Sequence, residues 1–481
     1  MSLYVRQPRR SSPWGRRLLA ILIIGAVGVL GLAIRRTGPP PTITIEPALP
    51  GIGPATPVRV ELAEPSRGLS RIEVELVQGE QVMLLAEREH VPRPFWAFWG
   101  PAVETERLEV TVGREHQPDL RPGEATIRVR AERASTWIVN PEPAVLEQIL
   151  PVRFEAPSLV ALRQPYRVDQ GGSGVVVYRV GASSTRDGVR VGEHFFAGYD
   201  APRPEVPGRG SDAATASESV ERFAFYGVPD DHAEASEIRL VAEDELGNRI
   251  ETAFLQSFVP RTFTGDEVQI SDAFLERVVP PILAQTPELE PEASLVETYV
   301  KINSELRAAN TRELIELAAT SRSERMWSGA FSQLPNSVVT GTFGDRRIYL
   351  YQGQEIDRAT HLGYDLASVR EAPVPAANAG VVVLARFFGI YGNTVVIDHG
   401  QGVLSLYSHL SSIEVASGQE VERGTRLGRT GITGLSGGDH LHFTIMVGSV
   451  QVSPLEWWDR GWIDSRIESK LRPNPEPAGT P

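Results

Sequence analysis

Five of the nine histidines fall between residues 361 and 442: His361, His399, His409, His440 and His442. The chain has no cysteine. A transition metal on this protein must therefore be held by imidazole nitrogen and carboxylate oxygen. That donor set is the one catalytic zinc uses, with three protein ligands and an open position for water. His440 and His442 stand two apart in Asp-His-Leu-His-Phe-Thr-Ile-Met-Val, a run rich in branched and aromatic residues that reads as a strand. Alternate residues of a strand share a face, so both imidazoles point one way while Leu441 and Phe443 point the other. His361-Leu-Gly-Tyr-Asp365-Leu reads likewise, with His361, Gly363 and Asp365 on one face and Leu362, Tyr364 and Leu366 on the opposite one. Gly363 weighs against a helix here and leaves room for something bulky, such as a metal with its substrate.

The weight lies in the ordered set: His361-x-x-x-Asp365, then Tyr407-x-His409-Leu410, then His440-Leu-His442-Phe443. The glycine-rich turn Gly428-Arg-Thr-Gly431 and the run Ser436-Gly-Gly-Asp-His440 lie among them. With these intervals, the set resembles the zinc metallopeptidases of the lysostaphin/LytM type, which cut peptide cross-links in peptidoglycan. The resemblance runs from about 341 to about 458, roughly a quarter of the chain. It implies zinc as cofactor, with His361, Asp365 and His442 as ligands and His409 and His440 as the catalytic pair. Some proteins of this type have lost ligands and act only as regulators; this sequence keeps all five positions, which favours an active enzyme. Zinc so held supplies a Lewis acid and an activated water, and a single Asp among the ligands leaves net positive charge for a developing oxyanion. His440, on the same strand face as His442, is the better-placed base. His409 would orient the water or stabilise the tetrahedral intermediate, and on sequence alone the two roles are exchangeable. His399, in Ile-Asp-His-Gly, lies at a turn and reads as structural, as do Asp398 and Asp439.

The elements that must position these residues are read from the pattern around them. Residues 380–386, 394–398 and 403–407 read as strands, divided by Gly389-Ile-Tyr-Gly-Asn and His399-Gly-Gln-Gly. A folded antiparallel sheet over 335–460, with long loops at one end, is the expected peptidase domain. A helical insert is expected over 265–330. Ser271 begins it as a cap, Pro280-Pro281 should break it, and Ser294-Leu-Val-Glu297 is a capping box followed by the stripe Leu295, Tyr299, Ile302 and Leu306. Asn310-Thr-Arg-Glu313 repeats the capping logic. By its position, this insert could dock against the catalytic groove and control access.

Upstream, Ile72, Val74 and Leu76, then Leu108, Val110 and Val112, then Ile127 and Val129 alternate with polar residues. This predicts a β-sandwich module over 58–150. A second module over 151–260 carries strands at 175–178, 222–226 and 238–242, and an exposed loop over 202–219. Its stretch Ala242-Glu-Asp-Glu-Leu-Gly-Asn248 resembles the late hairpin of bacterial immunoglobulin-like modules, so both modules are read as immunoglobulin-like. The rings of Phe95-Trp-Ala-Phe-Trp99 read as packing groups rather than a sugar site. His90, His116, His194 and His232 have no evident partners.

Length and charge bound the rest. The 481 residues suffice for about three domains. Net charge is −13, yet the first 36 residues hold seven arginines and no acid, so the remainder carries about −20. So acidic a body argues against nucleic acid as a partner. Residues 1–17 form a basic segment, and 18–34 (LLAILIIGAVGVLGLAI) form an apolar run near the lower length limit for a transmembrane helix. Flanking arginines can snorkel, and the positive-inside rule keeps the basic end in the cytoplasm. No Ala-x-Ala site comes after the run, which favours an uncleaved anchor over a signal peptide. Residues 35–57 read as a Pro/Gly-rich linker and 461–481 as a disordered tail.

The chain is thus expected to be multidomain and mainly β. Its leading reading is a single-pass protein of the cytoplasmic (inner) membrane with its body in the periplasm or outside the membrane, a zinc endopeptidase acting on peptidoglycan cross-links. A glycine bridge and a D-alanyl–diamino acid link are both open as the bond cut. Two other readings stand: a silent or occluded regulator that activates another cell-wall hydrolase as its protein partner, and a scaffold with a vestigial enzyme.

Overall fold

The structure, a computed structural model, describes residues 13–92, 94, 100–135, 140–202, 219–232 and 234–473. The basic segment before residue 13, the cluster Phe95-Trp-Ala-Phe-Trp99, loop residues 203–218 and the tail from 474 lie outside the described residues. Helix α1 spans Pro13–Thr37, and its stretch Trp14–Leu32 is long and apolar enough to cross a membrane. The chain divides into two compact units, Met1–Ala156 with Asp244–Asn248, and Pro157–Glu243 with Arg249–Pro481.

In the first unit a three-stranded and a four-stranded antiparallel sheet share one core. Strict alternation builds it. Val58, Val60 and Leu62 meet Ile72, Val74 and Leu76, and every second residue between them faces out. Thr42–Pro47 forms a strand paired with Thr56–Ala63, inside the stretch expected as a linker. The Thr-Ile-Thr-Ile alternation outweighs the neighbouring prolines, and Ile45 is buried.

The second unit begins with two four-stranded antiparallel sheets built around Ser173–Gly181, Ser219–Gly227, Ser184–Val191 and Ile238–Asp244. An eight-stranded sheet comes next. Its central strands run in the order Tyr364–Ala367, Leu441–Val447, Val403–Leu410, Asn393–Asp398, Gly380–Phe387. Both faces of this sheet are covered, which explains why its strands read as nearly continuous apolar runs. On one face Tyr407, Phe443 and Ile445 join Trp457, Trp327 and Phe225, so the preceding β module shares its core. On the other face Val396, Leu404, Leu406 and Met446 lie under Leu275, Ile282 and Ile302.

That cover comes from α2 (Asp272–Gln285), α3 (Leu295–Lys301), a π-helical turn over Ile302–Leu306, and α4 (Arg307–Ala319). Ser271 Oγ caps α2 by accepting from Phe274 N at 3.2 Å, and Ser294 Oγ does the same for α3 with Glu297 N. Three details depart from the sequence reading. First, α2 continues through Pro280 and Pro281. Both prolines face solvent, where the carbonyls they leave unpaired can be hydrated, while Leu275, Val278, Val279 and Ile282 hold both halves to the core. Second, Asn310 starts no helix. It is buried inside α4, and its Oδ1 accepts Ile390 N at 3.1 Å, so it satisfies a backbone donor of the facing loop. Third, Leu295 is exposed and stands outside the stripe of Tyr299, Ile302 and Leu306.

The expected tail is also different. Residues 460–471 are helical, and Ile463, Ile467 and Leu471 enter the core. Their spacing of four is a helical stripe sparse enough to be hidden by the polar residues between them.

The helices are therefore part of the sheet's own core, not a detachable cover. A fragment of residues 335–460 would expose Leu384, Phe388, Val396, Leu404, Leu406 and Met446. At about 1.5–3 kcal/mol each, these rival the roughly 5–15 kcal/mol that stabilises a whole domain. The fragment is expected to bind an apolar dye and to lack a cooperative thermal transition. A sharp transition like that of the full chain would refute this.

Candidate metal centre

Tyr364–Ala367 lies antiparallel to Leu441–Val447 with Asp365 directly opposite His442. Register alone makes these two side chains neighbours. His361 closes the strand Gln354–His361, which belongs to another sheet. The chain steps from one sheet to the other at Leu362-Gly363, where a single continuous strand was expected. A Cβ on Gly363 would stand 2.6 Å from both His442 Cε1 and Thr444 Oγ1. The space the glycine leaves is thus filled by the His442 ring, not by a metal with its substrate.

His361 Nε2, Asp365 Oδ1 and His442 Nδ1 are 2.9 Å from one another, and all three residues are buried. Their outward contacts fix which atoms carry protons. His361 Nδ1 donates to Thr342 O at 2.8 Å, so its Nε2 presents a lone pair. Thr444 donates its hydroxyl to Leu362 O at 2.9 Å, so toward His442 Nε2, 3.1 Å away, it can only accept. His442 therefore carries its proton on Nε2 and presents a lone pair at Nδ1. Three acceptors converge with no hydrogen among them. Such a cluster needs a cation, and the residues fit a resident metal ion held by two imidazoles and one carboxylate. Arg347 donates to the outer oxygen, Asp365 Oδ2, at 2.9 Å. A Cβ on Gly341 would stand 2.7 Å from both atoms of that contact.

His409 and His440 stand beside this cluster, ring centroids 4.9 Å apart. Strand alternation would send His409 to the far face with Ser405 and Tyr407. Its backbone is left-handed instead, with φ of 62°, and this re-aims the ring toward His442, 5.9 Å away between centroids. Leu410 then takes the far-face position in the core. His409 Nδ1 donates to Thr433 O and His440 Nδ1 to Gly438 O, each at 2.8 Å. Both rings thus turn Nε2 inward, and His440 Nε2 is 3.4 Å from Asp365 Oδ1.

Burial and these contacts set the electrostatics. Burial pushes the Asp365 carboxyl up, yet its polar neighbours, His361 first among them, hold it well below the usual carboxylate range, so it stands ionised and can only accept. Burial pushes His442 down to about 4. Burial, then the charges of His440 and His442, hold His409 well below the ordinary imidazole range, so it is neutral. Burial also opposes charge on His440, yet the neighbouring Asp365 carboxylate raises it above the ordinary imidazole value.

A cavity of about 400 Å³ opens over these five residues. Its other wall includes Ile270, Phe274, Tyr299 and Arg307 from the helical segment, together with Tyr349 and Tyr391. His399 stands apart. It is fully buried, contacts Ala379 O and Ser405 Oγ, and is pushed down to about 4 by burial. Asp398 accepts from Ser321 Oγ, Arg322 N and Gly400 N, and Asp439 from Thr430 Oγ1 and Glu371 N. Sequence reasoning missed Thr444 and Arg347. Thr444 was findable, since it lies two residues past His442 on the same strand face. Arg347 gives no local signal.

Residues 359–454 match the sequence model described as Peptidase family M23. Two curated relatives illustrate the likeness. Peptidoglycan DD-endopeptidase ShyA of Vibrio cholerae is 42% identical over 23% of this chain and 25% of its own length. DD-carboxypeptidase/endopeptidase Mpg of Neisseria meningitidis is 40% identical over 20% of this chain and 22% of its own. The chain therefore spans about a quarter of the curated relatives it matches. Among solved structures, the catalytic domain of lysostaphin from Staphylococcus simulans is 26% identical, covering 27% of this chain and 98% of that one, with a TM-score of 0.24.

The proton assignment is testable. Thr444→Val removes the acceptor of His442 Nε2–H and is expected to weaken zinc affinity about 10- to 100-fold, read by competition with a chelating indicator. His361→Ala should abolish tight binding. Unchanged affinity in Thr444→Val would refute the assignment.

Proposed function

We propose that this chain is a membrane-anchored zinc endopeptidase that hydrolyses peptide cross-links of peptidoglycan. The observation that carries the proposal is the acceptor-only cluster of His361, Asp365 and His442 with two further histidines turned toward it. His361, Asp365 and His442 are the proposed zinc ligands, and His440 and His409 the proposed catalytic pair. Zinc bound there supplies Lewis-acid polarisation and makes water a nucleophile at neutral pH.

The chain's own groups do the rest. His440 Nε2 lies nearest the cluster and takes the proton of the attacking water, the role of a general base. His409 is neutral, and its Nδ1–H is committed to Thr433 O, so Nε2 can only accept. That supports water orientation as its task, because a neutral ring in this tautomer has no hydrogen to offer an oxyanion. Arg347 holds Asp365 from behind, which keeps the opposite carboxylate oxygen turned inward.

The open cavity favours an active enzyme over an occluded regulator. The apolar stretch Trp14–Leu32 supports the anchor, and the arginines before it support a body outside the cytoplasm. We read the two upstream β units as immunoglobulin-like modules. The relatives' DD-endopeptidase names support the D-alanyl–diamino acid link as the bond cut.

The full chain in detergent is expected to release un-cross-linked muropeptides from purified sacculi, with a chelator stopping the release. His440→Ala should bind zinc as the parent does but lose activity by about 10²- to 10⁴-fold. Mass spectrometry of the products names the bond. A zinc-loaded protein that leaves sacculi intact would overturn the proposal.

A further inference from the structure

The cavity over the candidate centre is only partly built from the stretch that matches the peptidase family. Its other wall comes from the helical segment, and that wall carries a cation. Arg307 is half-buried and lines the same cavity as His361, His409 and His440. It stands directly after the π-helical turn Ile302–Leu306. Such turns inside helices concentrate at functional sites, because the extra residue re-aims the side chains of the next turn.

One edge of the Arg307 guanidinium is fixed. Nε donates to Asn303 O at 3.0 Å, and Nη2 donates to Asn303 Oδ1. Asn303 is itself held by its Nδ2 bond to Asp357 Oδ2 at 2.7 Å. The remaining nitrogen, Nη1, has no partner among the described residues, and no carboxylate there pairs with Arg307. Three other partly buried arginines are paired: Arg222 sits on Asp187, Arg346 on Asp230 and Arg347 on Asp365. The Arg307 guanidinium is thus half-buried with no carboxylate paired to it, in a chain of net charge −13. Beside it, the hydroxyls of Tyr299 and Tyr349 also lack partners among the described residues, and their rings stand 6.0 Å apart. The wall therefore offers one anchored cation and two free hydroxyls, a set of donors for an anion that the chain itself does not supply.

We propose that Arg307 is a specificity residue that binds a free carboxylate of the peptide substrate, on the carbon beside the scissile nitrogen. This rests on the endopeptidase reading of the site. The two candidate cross-links differ at this point. A D-alanyl–diamino acid link leaves a carboxylate on the carbon that bears the scissile nitrogen. An internal amide of a glycine bridge has none. Arg307 thus selects the first and leaves its own charge uncompensated against the second, which is how a polar site rejects an analogue lacking its partner.

The test uses the zinc-loaded full chain and two synthetic diamino-acid tripeptides, which are amine-side products and are not turned over. They are identical except that the carboxylate beside the free amine is a carboxamide in one. Titration calorimetry is expected to show the carboxylate form bound about 10- to 100-fold more tightly. Arg307→Gln, which keeps a hydrogen-bonding side chain, should bind both forms equally, and Arg307→Lys should retain part of the preference. Equal affinity of the unaltered protein for the two forms overturns the proposal, as does a full preference in Arg307→Gln. Cross-linked dimers left intact by a protein that still shows the product preference would overturn the endopeptidase reading and leave this assignment standing.

Discussion

His361 Nε2, Asp365 Oδ1 and His442 Nδ1 stand 2.9 Å apart in a buried place, and each is an acceptor facing two other acceptors. A buried polar atom without its partner costs about 1–3 kcal/mol, and here three are gathered by design of their surroundings. Thr342 O turns His361, the relay from Leu362 O through Thr444 turns His442, and Arg347 holds the back of Asp365. Two glycines, Gly341 and Gly363, stand where any Cβ would press on these groups. The local architecture is thus arranged to keep protons out of one small volume. A cation relieves all three acceptors at once, so metal affinity and the folded geometry are linked quantities.

The sheet that holds this arrangement is packed on both faces. Trp457, Trp327 and Phe225 tie one face to the preceding β module. The helical segment closes the other face, where Asn310 supplies the acceptor that Ile390 N needs and Arg277 donates to Ser436 O. These bonds fix the loops that carry Tyr391 and the approach to His440.

The grouping of His361, Asp365 and His442 was legible in sequence because strands encode faces simply. Residues 440 and 442 share a side at any twist, and the alternation of Leu441 and Phe443 marks the opposite, apolar one. Asp365 opposite His442 then needs only antiparallel pairing. His409 was recognised by motif rather than by pattern, since period-two alternation puts it on the wrong face and only its left-handed backbone corrects this. The helical segment was legible in its caps but not in its packing. Propensity stops a helix at Pro280-Pro281, whereas burial of Leu275 and Ile282 carries it on. Asn310 looks like a cap because its side chain accepts a backbone donor, as a cap does, but the donor belongs to a loop 80 residues away. Ile463, Ile467 and Leu471 were hidden in a polar run whose burial depends wholly on tertiary contact.

The same contrast separates the metal-binding cluster from the wall that faces it. Every group that touches the cluster lies within the run from Gly341 to Thr444, where strand register and turn geometry leave little latitude. Arg307 and Tyr299 reach the cavity from a segment whose constraints are different. That segment must cover Val396, Leu404, Leu406 and Met446 with apolar side chains, and Tyr299 serves both that cover and the cavity wall, whereas Arg307 lies outside the core cluster. Under the proposed function, reactivity would be set within the run that carries strand register, and selectivity by Arg307 on the facing wall.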